Sequence, residues 1–199
     1  MTKRKTKEFK QKCEVCSERV RSYEIVYVRD GEKYRRHCNR CYNKMISEMY
    51  ELDFEHPEFQ PITLKDVDGF SHEFRFRTFI IPTGISIEAL EVRNGEPAGY
   101  EFQVIGDIEA DPLELFGQLF ERIRKALSMK HIDTGEYGLQ ISDDGIVRGR
   151  IEWDDESDGK IPRLVIDGKS VSWEEFGRML MTYEGWNFKM EIFDRSEMR

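Results

Sequence analysis

Apolar residues alternate with charged ones at Phe74, Phe76, Thr78 and Ile80, and again at Tyr100, Phe102, Val104 and Ile108. Half-buried antiparallel strands have this period. Between the two runs, Ile85, Ile87 and Ala89 fall on one face and Leu90 and Val92 on the other, which predicts a β-bulge where the phase changes. Asp68-Gly69, Asn94-Gly95, Asp144-Gly145, Asp158-Gly159 and Asp167-Gly168 separate the runs with residues that accept positive φ at little cost, so a meander with tight turns is expected.

The period becomes helical after Asp111-Pro112. Asp111 suits the N-cap, Pro112 the first helical position and Glu114 a capping box, while Leu113, Phe116, Phe120, Ile123 and Leu127 predict one core-facing stripe. Ser172, with Glu175 three residues on, predicts a second helix that turns Phe176, Leu180 and Tyr183 toward the sheet and stops near Gly185. Trp186, Phe188, Met190 and Ile192 then alternate as a final strand would, and Trp153, Trp173 and Trp186, one per element, read as ordinary core residues. Residues 62–199 are therefore expected to form one α+β domain, a mainly antiparallel β-sheet with two packed helices.

The first quarter of the chain follows a different pattern. "SYEIVYVRDGEKYRRH" carries Ile25, Val26, Tyr27 and Val28, an Asp30-Gly31 turn and a return through Tyr34, which predicts a hairpin. Met45, Met49 and Leu52, with Ile46 and Tyr50 beside them, predict a helix after it. Pro57 and Pro61 interrupt an acidic stretch without periodicity, so residues 54–61, His56 included, are read as a linker. Residues 1–12 are read as a basic flexible leader and 13–53 as a separate small module.

All four cysteines lie in that module, as Cys13-x2-Cys16 and Cys38-x2-Cys41 with 21 residues between the pairs. Two residues between thiols let a tight knuckle aim both sulfurs at one point, and two knuckles complete the tetrahedral shell that structural zinc prefers. Knuckle, hairpin and a helix opening at the second pair resemble the treble-clef zinc finger over roughly residues 10–53, with a zinc ribbon as the nearest rival. The resemblance implies a metal-nucleated fold with Cys13, Cys16, Cys38 and Cys41 as ligands of a structural Zn2+. It leaves the function open, because treble clefs serve nucleic-acid binders, adaptors and nucleases alike. A nuclease of this type needs a histidine on the hairpin; His37 is there but abuts Cys38, where it reads as a neighbour of the metal shell.

Charge divides the chain at the same place. Residues 1–50 carry 14 cations against seven carboxylates, a net +7, and the remainder 17 against 32, a net −15. A basic module on an acidic body marks either a polyanion-binding face or two faces that dock on each other. Arg35, Arg36, Arg40 and Lys44 are the candidates for nucleic-acid contact.

The acidic body offers little chemistry. "DDESDGKI" spaces Asp154, Glu156 and Asp158 as a calcium loop does, but Val165 occupies the twelfth position, so a solvated hairpin tip is expected. His72 and Glu73 are adjacent and point to opposite faces of a strand, and His131 is placed at the end of the first long helix. No nucleophile elbow, zincin, Walker or dinucleotide motif occurs. The stretch 165–198, "VIDGKSVSWEEFGRMLMTYEGWNFKMEIFDRSEM", resembles the closing segment of a family of uncharacterised bacterial proteins, which implies a bacterial origin and brings no activity. With no secretory leader and no apolar run of membrane-spanning length, a cytoplasmic protein without membrane contact is expected. The expected role is a non-catalytic binding or regulatory protein touching nucleic acid through its basic module. The alternatives are a protein-protein adaptor with purely structural zinc, and an enzyme with an unrecognised site in residues 62–199.

Overall fold

The computed structural model describes residues 10–136 and 138–197. Thirteen strands and three α-helices make an α+β architecture whose sheets are antiparallel throughout. Strands β1 (Lys10–Lys12) and β2 (Arg19–Arg21) flank the first cysteine pair, and β3 (Ile25–Asp30) and β4 (Lys33–Cys38) form the expected hairpin. Helix α1 (Asn39–Met49) starts at the second pair with Cys38 as its N-cap. Of the leader expected over 1–12, residues 10–12 are thus a paired strand, and residues 1–9 lie outside the described residues.

A four-stranded meander follows, in the order β5 (Ile62–Lys65), β6 (Ser71–Ile81), β7 (Gly84–Arg93), β8 (Glu96–Gly106). The register shifts between Leu90 and Val92, where the change of hydrophobic phase predicts a bulge. Helix α2 (Pro112–Leu127) covers one face, packing Leu115, Leu119, Ile123 and Leu127 on Phe74, Ile85, Ile87, Phe102 and Val104. Burying each such side chain stabilises by roughly 1.5–3 kcal/mol. Ile123 and Leu127 are core residues as expected and Phe116 meets Phe76 edge-on, but Leu113 is exposed, because the fully buried row repeats every four residues from Leu115. Asp111 caps the helix by accepting from the Leu113 N–H at 2.9 Å, and no capping-box bond from Glu114 accompanies it.

The linker residues have neither helix nor strand, but they are fixed. Phe59 stacks on Phe116 at 4.5 Å and meets Phe76 edge-on, and Phe54 also packs against this core.

A second apolar cluster gathers Ile132, Ile166, Val171 and Met179. It is built by the hairpin β9 (Ile132–Gly135) and β10 (Gly138–Ile141), the sheet β11 (Gly149–Glu152), β12 (Arg163–Ile166), β13 (Lys169–Val171), and helix α3 (Trp173–Met181). Ser172 and Glu175 form the expected capping box. Met179 supplies the buried contact of α3, and Leu180 lies exposed on the far side. The expected last strand does not form: residues 186–193 carry no strand pairing. Trp153, Trp173 and Trp186 are exposed rather than core residues: Trp173 opens α3, and the other two lie outside any helix or strand.

Candidate metal centre

Each cysteine is held by a local device. In the first knuckle, the Cys13 N–H donates to the Glu18 carbonyl at 2.9 Å and the Ser17 N–H to the Cys13 carbonyl at 3.1 Å, with Ser17 at φ 65° closing the turn. The last residue of β4 is Cys38, whose N–H donates to the Cys13 sulfur at 3.3 Å, and Cys41 sits in the first turn of α1. The four sulfurs lie within 4.8 Å of one another, with Cys16 and Cys38 3.8 Å apart.

A donor set of four thiols suits a soft or borderline divalent ion, and closed four-sulfur shells serve structure rather than catalysis. Burial alone pushes the Cys13 thiol up, but N–H groups from Cys16, Cys38 and Val15 outweigh it and bring it down to about 6. Burial raises Cys38 and Cys41, so these thiols hold their protons until a cation displaces them. His37 is buried beside the cluster, and its Nδ1 has no partner among the described residues.

The four candidate cations are each turned to a carboxylate. Arg35 faces Asp30 at 3.4 Å, Arg36 faces Glu14 at 3.2 Å, Lys44 faces Glu48 at 3.8 Å, and Arg40 pairs with Glu58. Arg35 and Arg36 are neighbours in one strand and point to opposite sides of it. Arg40 and Lys44, four apart on α1, share one face of that helix.

The inner face of α1 is polar. Asn39, Asn43 and Ser47, at successive i+4 positions, are its buried residues. The Asn43 amide donates to the Thr78 carbonyl at 2.8 Å and accepts from the Ile80 N–H at 2.9 Å, and it also touches His56 Nδ1 at 2.8 Å. Burial, with Arg40 nearby, lowers His56 to about 4, so the ring is neutral at ordinary pH. Beside this contact lies a cleft of about 250 Å3 whose lining includes Cys38, Asn39, Arg40, His56, Phe59 and Arg77. Asn43 and His56 carry no motif, and their roles arise only once β6 is beside them.

Elsewhere, His72 is buried between Glu91 at 2.8 Å and Asp66 at 3.1 Å. His131 lies beyond the end of α2, its Nδ1 on the Ile146 carbonyl at 2.9 Å. In the loop spaced like a calcium site, Arg163 meets the Asp154 carboxylate at 2.9 Å, a cation already in the place an ion would take.

Fold and site together define an α+β protein carrying a four-cysteine cluster that could hold a metal ion. Three consecutive segments match family models, each described as a domain of unknown function: residues 12–53 (DUF7685), 55–128 (DUF7686) and 131–197 (DUF7713). The last two meet between the two apolar clusters, inside the stretch expected to be one domain. No curated protein and no solved structure matches the chain. No helix among the described residues is long and apolar enough to cross a membrane.

Proposed function

We propose that the chain is a non-catalytic, protein-binding adaptor whose N-terminal module is a treble clef built on one structural zinc ion held by Cys13, Cys16, Cys38 and Cys41. The zinc fixes the second knuckle against the start of α1, and α1 in turn covers the sheet. The observation that carries this reading over nucleic-acid contact is the pairing of Arg35, Arg36, Arg40 and Lys44 with Asp30, Glu14, Glu58 and Glu48. A cation already facing a carboxylate must give up that partner before it can release counterions from a phosphate backbone, which removes much of the gain. Three of these carboxylates, Asp30, Glu14 and Glu48, belong to the module itself, and Glu58 belongs to the stretch that follows it. On this reading residues 13–53 are the metal module and the rest of the chain is the interaction body, in a reducing, cytoplasmic setting.

Titration of the zinc-loaded full-length protein with mixed DNA and RNA at two salt concentrations tests the reading, alongside metal analysis. One zinc per chain and no salt-sensitive binding are expected. Binding that weakens with salt, and that loses slope when Arg35, Arg36 and Arg40 are changed to Ala, would replace the adaptor with a nucleic-acid-binding protein.

A further inference from the structure

Residues 184–194 are exposed without interruption, yet their sequence is that of a strand. Trp186, Phe188, Met190 and Ile192 leave 75, 86, 63 and 76% of their surfaces in solvent. Isolated exposed apolar residues are ordinary, but four large ones in strict alternation form a contiguous face. The backbone is equally unsatisfied: residues 187–193 make no backbone hydrogen bond to any described residue.

The segment is nevertheless tethered at both ends. Tyr183 meets Trp186 edge-on at the end of α3, with their ring centroids 5.5 Å apart. Beyond it, Arg195 binds Glu88 and Glu101 at 2.9 Å each, and Arg122 donates to the Ser196 carbonyl at 2.9 Å. A span held at both ends has already lost part of the entropy that strand pairing would cost.

The charges on the opposite face indicate what pairs with it. Lys189 and Glu191 flank Met190 and pair with each other within the chain. If two copies of the segment run antiparallel about a twofold axis at Met190, Lys189 of each faces Glu191 of the other, Phe188 faces Ile192, and Met190 faces itself. Moving the axis to Lys189 opposes two lysines, and moving it to Glu191 opposes two glutamates. An axis between residues splits the apolar face between the two sides of the ribbon. The Met190 register alone sets Lys189 opposite Glu191 while keeping the apolar residues on one side of the ribbon, and unlike charges directly opposite stabilise where like charges destabilise.

We propose that residues 186–193 are a homodimerisation strand, which pairs antiparallel with the same segment of a second copy of this chain in the register that places Met190 opposite Met190. The interface is isologous, so each contact occurs twice. It goes beyond the adaptor reading and depends neither on the zinc nor on a further partner.

The test is sedimentation of the full-length, zinc-loaded protein as a function of concentration, with far-UV circular dichroism to confirm that each exposed-site variant is folded. A monomer–dimer equilibrium is expected, abolished by Phe188→Asp with Ile192→Asp. Lys189→Glu alone and Glu191→Lys alone should each weaken the dimer by about tenfold at low salt, since two symmetry-related pairs change together. The double variant Lys189→Glu/Glu191→Lys should restore it. A monomer at every concentration, a dimer indifferent to Phe188→Asp/Ile192→Asp, or a double reversal that fails to restore association would each overturn the proposal.

Discussion

The side-chain amide of Asn43 receives the backbone N–H of Ile80 at 2.9 Å, while its own NH2 reaches the Thr78 carbonyl two residues back at 2.8 Å. That pair of groups is what a neighbouring strand would engage. Strand β5 pairs only with Ser71–Phe74, so the second half of β6 is an open edge with β7 on its other side. An open edge is a template for aggregation unless it is covered. Helix α1 covers it with the amides of Asn43 and Asn39, the latter donating to the Thr78 carbonyl at 3.5 Å, and Arg77 adds a bond to the Tyr23 carbonyl at 2.8 Å. The four-cysteine module thereby completes the sheet.

Asn43→Ala should lower stability by about 1–3 kcal/mol, because it strands the buried Ile80 N–H and leaves the Thr78 carbonyl only the longer bond from Asn39 at 3.5 Å. Asn43→Asp should recover only part of this, since a carboxylate accepts from Ile80 but repels the Thr78 carbonyl. Urea unfolding with light scattering checks both: the Ala variant should show an earlier midpoint and more aggregation, and an unchanged midpoint would show that the edge needs no cover.

Removing the metal, by chelation or by Cys38→Ser, should unfold β1 to β4 and the start of α1, since a shell of four thiols is most of the core of so small a module. The cluster of Phe74, Ile87 and Phe102 has its own cover in α2 and should stay folded. Its β6 edge should lose protection along with the module. Hydrogen exchange resolved by segment is the measurement: fast exchange in β3 and β4, intermediate in residues 76–81 and slow in β7 is the expected pattern. Simultaneous loss in β7 would mean a single shared core.

Local chemistry was legible in the sequence, and long-range partnership was not. Spacing alone brought Cys13, Cys16, Cys38 and Cys41 together, and the cap at Ser172, the hairpin at Asp30-Gly31 and the bulge near Leu90 follow from neighbours a few residues apart. Asn43 gave no signal, because its partners are 35 and 37 residues away and any helix tolerates an exposed Asn. On α2 the expected stripe holds at Ile123 and Leu127 and at Phe116, which meets Phe76 of the sheet, and fails at Leu113, because Leu113 matches a helical period as well as Leu115 does and only the sheet beneath decides between them. At Trp186 to Ile192 the alternation has the period of a strand, but no strand pairs with it among the described residues.

Glycine 99 should not tolerate a side chain. It sits at φ +96°, and an added Cβ would fall 2.1 Å from a Glu91 carboxylate oxygen. That carboxylate cannot swing aside, since His72, Arg93 and the Tyr100 N–H all hold it. Gly99→Ala should therefore cost about 1–3 kcal/mol from backbone strain alone, with the displaced carboxylate adding to it. Thermal unfolding of Gly99→Ala, His72→Gln and the double variant should show strong non-additivity, because both substitutions disturb one network.

The same network sets a pH window for stability. Glu91 is the main cause of the raised His72 value, which burial opposes and Asp66 reinforces. A histidine whose folded value exceeds the ordinary 6.5 contributes fully below 6.5, and that contribution is lost as pH rises through the folded value. The carboxylates act in the opposite sense. Burial pushes Glu91 and Asp66 up, but His72 and nearby N–H groups outweigh it, aided at Glu91 by Arg93, and leave both below their ordinary 4.5 and 3.8. Their contribution is present above those values and lost as pH falls through the folded ones. Stability from this cluster should therefore be greatest between about 4.5 and 6.5 and decline on both sides. His72→Gln should cost about 2 kcal/mol at pH 6, the scale of hydrogen bonds to charged groups, and progressively less as pH rises through the folded value of His72. Unfolding free energies measured across pH 4–9 for both proteins would decide it: converging curves at high pH are expected, and parallel curves would show that His72 does not titrate with folding.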